Sequence, residues 1–147
     1  MGRSVVAVIV AYISMFILNL LVFVGLYAFV GPAQAFKPSS YLASNRWIVM
    51  SFVAISITAI IAGLICAAIA RGGRAPLAMA IVVLVIGLVL AIPSVMKHRA
   101  NEHMIRTGDV PSMEAAQKAY WPNWAPFLFP FISAAGALVG ARLKRTP

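Results

Sequence analysis

Long apolar runs alternate with short polar ones along this chain. Residues 4–30 hold no charge at all; 47–70 form a second run, bracketed by Arg46 and Arg71, and 76–96 a third. The fourth and shortest, 124–143, follows Trp121-Pro122-Asn123-Trp124 and closes on Arg142, Lys144 and Arg145. A helix needs about 20 apolar residues to cross a bilayer core, and flanking cations mark where a run meets the headgroups. The pattern predicts one domain over 1–147, an all-α membrane protein built as a bundle of four transmembrane helices. A short helical loop is expected between the third and fourth.

The first run is long: at about 1.5 Å per residue it covers roughly 40 Å, so it should tilt or protrude. Arg3, the apolar run and Ala33-Gln34-Ala35 imitate a secretory leader, but the run is about twice the usual length, and the reading is an uncleaved first span. Asn19 lies near mid-membrane and calls for a hydrogen-bond partner on another helix. Arg71-Gly72-Gly73-Arg74 reads as a tight hairpin with Pro76 in the next first turn, placing spans two and three side by side. The link 31–46, with Pro32, Pro38 and Ser39-Ser40, is too small to be a domain.

The only sizeable polar stretch, 97–123, holds all three acidic residues and both histidines. Residues 97–106 contain no breaker and predict an extension of the third helix, ended at Gly108, with Glu102 and Arg106 paired one turn apart. Residues 109–118 predict a second short helix with Asp109 or Ser112 as N-cap, and Val110, Met113 and Tyr120 sharing a face.

Membrane helices associate through close packing, which small residues at four-residue spacing allow. The second span carries Ala59, Gly63 and Ala67; the fourth carries Gly136 and Gly140, a GxxxG, which either packs within the bundle or turns outward to another subunit.

Composition sharpens the class. The chain is 63% hydrophobic and 10% charged, far from a soluble domain, and one cysteine excludes a disulfide scaffold. The net charge of +9 is spread over loops at both ends, which argues against nucleic acid as partner and for attraction to the bilayer's anionic lipids. The basic residues divide six against six between the termini-plus-hairpin side and the long-loop side. All acids lie on the second side, favouring cytoplasmic termini in a plasma or inner membrane. Trp47, Trp121 and Trp124 are then expected as interface anchors.

Candidate chemistry is sparse. No span has an ionisable group in its interior, which argues against a proton relay, and no inverted repeat suggests a transporter. His98, Glu102 and His103 are weak metal candidates: the first two are one helical turn apart, but His103 should point about 100° away. Cys66 sits deep in the second span, where an apolar setting leaves a thiol inert. No cofactor, metal or enzyme activity is expected. The expected function is a non-catalytic integral membrane subunit or scaffold, held among other membrane protein subunits. The alternative is a small homo-oligomeric channel or carrier lined by Asn19 and hydroxyls such as Ser51, Ser56 and Thr58.

Overall fold

All four apolar runs form helices in the computed structural model, which describes residues 2–71 and 74–144. The elements are α1 (Gly2–Val30), α2 (Pro32–Ala35), α3 (Asn45–Ala70), α4 (Ala75–Asn101), α5 (Ser112–Lys118) and α6 (Ala125–Leu143). Helices α1, α3, α4 and α6 are each long and apolar enough to cross a membrane. No strand occurs among the described residues; three isolated backbone bridges link loops.

Helix ends follow local chemistry. Ser44 caps α3, its Oγ accepting from Trp47 N–H at 3.1 Å. Arg71 closes α3 in the left-handed conformation, with its N–H on Ala67 O. Gly72 and Gly73 of the expected hairpin, and Arg145 of the terminal basic cluster, lie outside the described residues.

Helix α3 is the hub. It packs most extensively on α6 and then on α1, and α6 also packs on α4. The expected side-by-side pairing of α3 and α4 is therefore a minor contact: α6 separates the sequential neighbours. The reason is steric. At Gly63 of α3 an added Cβ would run into the Ala137 carbonyl, and at Gly140 of α6 one would run into that of Ile60. Each backbone thus seats against a glycine of the other, an approach no larger residue permits. Helix α4 seats on α6 instead, where its Gly87 receives the ring of Pro130.

Two apolar clusters result. Ala7, Ala11, Ala59, Ala62, Met79 and Ala137 lie in the cluster toward the hairpin end. Tyr27, Phe36, Tyr41, Trp47, Val110 and Tyr120 lie in the second, which roofs the other end. This roof is built by the two polar links pairing with each other. Arg106 N–H donates to Ser39 O at 3.2 Å, Tyr120 N–H to Tyr41 O at 3.1 Å, and Ala43 N–H to Tyr120 O at 3.0 Å.

That pairing overrides the expected helix over 97–106. Helix α4 stops at Asn101, whose Nδ2 donates to Lys118 O at 2.9 Å. Arg106 is drawn away from Glu102; its guanidinium donates to Gly108 O at 2.8 Å and stacks 5.8 Å above the Phe36 ring. Gly108 takes a positive φ of 78° in the turn that follows, not at the end of a helix. Helix α5 begins at Ser112 with Pro111 at the cap position and no side-chain cap from Asp109 or Ser112. The expected common face does not form: Val110 and Tyr120 are buried whereas Met113 is 72% exposed, because the helix starts after Val110 and ends before Tyr120.

Candidate functional site

Beneath the roof, α1 presents Leu20, Phe23, Val24 and Tyr27, residues at 3- and 4-residue spacing and so on one side of the helix. Across from them α4 presents Ser94 and Lys97, and α5 lies overhead with Ser112 and Ala116. The walls enclose a cavity of about 300 Å³. Trp47 stands edge-on to both Phe23 and Tyr27, with ring centroids 6.1 Å apart in each case. Tyr27 is fixed in turn by its hydroxyl, which donates to Val110 O at 2.9 Å.

A second cavity, about 230 Å³, lies beside the first between α1, α4 and α6. Ser94 and Trp121 line both, so the two cavities adjoin at these residues, the waist of a slot that follows α4 inward from the roof. Its far part is walled by Tyr12, Met15, Val83 and Phe129. Leu20, Val24 and Leu90 line the slot and are also half or more exposed on the outside of the bundle, so the slot opens sideways between α1 and α4.

Lys97 is the single charged side chain among the described residues lining the slot. Its Nζ donates to Ala116 O at 2.7 Å, which ties α4 to the roof and leaves two ammonium hydrogens for another acceptor. The acids nearby are committed elsewhere. Glu114 Oε1 accepts from Lys118 Nζ and from Tyr41 Oη, both at 2.9 Å. The Lys118 ammonium, then the Tyr41 hydroxyl, hold the Glu114 carboxyl below its usual range, and the same carboxylate raises Lys118.

The residues singled out from sequence fall in different places. Ala59, Gly63, Gly136 and Gly140 meet at the α3–α6 contact, so the GxxxG faces inward and not to another subunit. Ala67 is buried farther along α3. Asn19 Oδ1 accepts from Thr58 Oγ1 at 2.8 Å, joining α1 to α3. Ser51 and Ser56 donate to the carbonyls of Trp47 and Phe52 in their own helix, each at 2.7 Å. Of the three tryptophans, Trp124 is exposed, beside Phe52; Trp47 is buried in the aromatic roof and Trp121 packs edge-on to Phe129. The roof folds over Trp47 and shelters it.

His98 Nδ1 donates to Trp121 O at 2.9 Å, and its ring stands edge-on to Tyr120 at 4.9 Å. His98 Nε2 lies 3.7 Å from Glu102, and His103, 87% exposed, swings to 3.4 Å from the same carboxylate because α4 has ended before it. The expected 100° separation thus does not hold. Among the described residues no group of three metal-ligating side chains is spaced to hold an ion.

Sequence reasoning did not single out Lys97, Phe23, Tyr27 or Ser94 as parts of one site. The available signal was the aromatic spacing in α1 and the position of Lys97 at the end of an apolar run. Comparison with known protein families, with curated proteins and with solved structures finds no match to this chain.

Proposed function

We propose that this is a multi-pass integral membrane protein with cytoplasmic termini that acts as a non-catalytic subunit or scaffold of a larger membrane assembly. The carrying observation is the asymmetry of α1. Only 17% of its most apolar stretch is buried, against 39%, 33% and 44% for α3, α4 and α6. Its small residues Ala7 and Ala11 turn inward, while Val5, Ile9, Phe16, Leu21 and Phe29 stand outward along its length. With the smooth faces of α3 and α6 consumed inside the chain, the outer face of α1, the least buried of the four long helices, is the surface offered to a partner.

The polar groups support the same reading over the channel alternative. Asn19, Thr58, Ser51 and Ser56 spend their hydrogen bonds on holding helices together or on their own backbone. A permeation path would need such groups turned toward water or ions.

The test is the size and composition of the native particle after extraction in mild detergent. Stoichiometric foreign subunits, released when Phe16 and Leu21 are both changed to Ala, are the expected result. A small particle holding this chain alone would overturn the proposal, and measurable ion or solute flux in vesicles would replace it.

A further inference from the structure

We infer that the slot between α1 and α4 is a binding site for a bilayer lipid with an anionic headgroup, its acyl chain lying along α4 and its headgroup held at Lys97. Three features lead there. The slot is open sideways, at Leu20, Val24 and Leu90, toward the volume that acyl chains occupy around a membrane helix. Its inner part is walled mostly by apolar side chains, among them Met15, Val83, Leu90 and Phe129, with the residues Tyr12 and Ser133 between them, and accommodates a hydrocarbon chain. Lys97 stands at its outer end, directly after the apolar run 76–96, so its ammonium sits at the depth where a bilayer changes from hydrocarbon to headgroup.

Charge then chooses the lipid. Lys97 is the one charged group lining the slot, and Glu114, the acid of the overlying helix, already accepts from both Lys118 and Tyr41. The mouth therefore carries a cation with two unused donors, and Ser112 lines the same volume, whereas the Ser94 hydroxyl donates to Leu90 O at 3.1 Å. A phosphodiester or carboxylate accepts from such a set; a zwitterionic headgroup brings a second cation beside Lys97 and loses part of the attraction. This inference stands whether or not the chain belongs to a larger assembly.

Tryptophan quenching by brominated lipid tests it. The full chain carrying Trp124→Phe is placed in phosphatidylcholine vesicles, leaving Trp47 and Trp121, both at the slot, as reporters. Dibrominated phosphatidylglycerol should quench at a mole fraction about fivefold lower than dibrominated phosphatidylcholine, the ratio that roughly 1 kcal/mol of attraction per cation gives. Lys97→Gln should bring the two midpoints together and Lys97→Arg should restore the gap, while Lys37→Gln, an equal loss of charge at an exposed residue outside the slot, should leave it unchanged. Ser94→Phe, at the waist, should weaken quenching by both lipids. Equal midpoints in the parent chain, or a gap that survives Lys97→Gln, would overturn the inference. Loss of quenching on adding water-soluble glycerol phosphate would show a site for the free anion and overturn the lipid assignment.

Discussion

Replacing Gly140 by alanine adds one methyl group, and the structure says where it goes. An ideal Cβ there would overlap the Ile60 carbonyl and lie only 3.0 Å from Ile60 Cα. These are backbone atoms in mid-helix, which no rotamer change can move aside, so α3 and α6 must separate along their closest contact. Overpacking of this kind costs about 1–3 kcal/mol, and a rigid backbone obstacle places Gly140→Ala near the upper end. Gly63→Ala meets the Ala137 carbonyl and should behave alike. At Gly136 the nearest atom is the Ala59 methyl, 2.9 Å away, with Ser56 O at 3.2 Å, so Gly136→Ala should cost less. Gly25 in α1 has nothing within 4 Å of its added Cβ; alanine there should change stability by less than about 1 kcal/mol, in the stabilising direction. The assay is the loss of native tryptophan fluorescence as dodecyl sulfate is titrated into protein held in mild detergent. Cost should rise in the order Gly25, Gly136, then Gly63 and Gly140. If Gly140→Ala unfolded at the same dodecyl sulfate fraction as Gly25→Ala, the glycine-seated α3–α6 contact would be refuted.

Three further outcomes follow from named contacts. Asn19→Leu should cost about 0.6–1.7 kcal/mol in the same titration, because Thr58 Oγ1 can turn its one hydrogen to the carbonyls of Ala54 or Ile55, each 3.1 Å away; a loss above about 3 kcal/mol would contradict this. Gly31→Ala should cost about 1–3 kcal/mol although space around it is open, since φ 76° and ψ 164° form a backbone state that suits glycine; an unchanged midpoint would count against that strain. The roof should loosen in acid. Glu114 is held below its ordinary value of 4.5 by Lys118 and then Tyr41, so its contribution is full above that value and fades as pH falls through the lowered one. Lys118 is held above 10.5 by Glu114, so the pair's contribution is also lost as pH rises beyond that. Protection of the 112–118 amides, taken relative to their intrinsic exchange rate at each pH, should therefore fall at both extremes, and Glu114→Gln should abolish both changes; acid loosening that persists in that variant would assign it to another group.

Burial asymmetry along α1 and the glycine seats of α3 and α6 show how far local pattern reaches. The four long helices were legible because a helix able to cross a bilayer is a run of apolar residues, a property of the chain read one residue at a time. The capacity of Gly63, Gly136 and Gly140 for close packing was readable, since a missing Cβ permits it; whether they face inward, and which neighbour takes the space, was not. That neighbour is decided by which carbonyls stand opposite, here Ala137 and Ile60, so α6 lies between α3 and α4 in spite of the short link joining those two.

The polar segment shows the opposite case. Its residues are compatible with a continuing helix over 97–106, and only the arrival of 39–43 from the other loop, offering backbone partners to Arg106 and Tyr120, ends α4 at Asn101 and moves His103 back onto Glu102. The slot at Lys97 belongs to the same category. A lysine after an apolar run marks a membrane boundary in sequence; it becomes the rim of a chamber because α1, α5 and Trp121, all distant along the chain, close around it. Sequence determined what must leave water, since transfer free energy attaches to each residue. Tertiary structure decided which groups meet, since contacts depend on geometry between segments that no local pattern encodes.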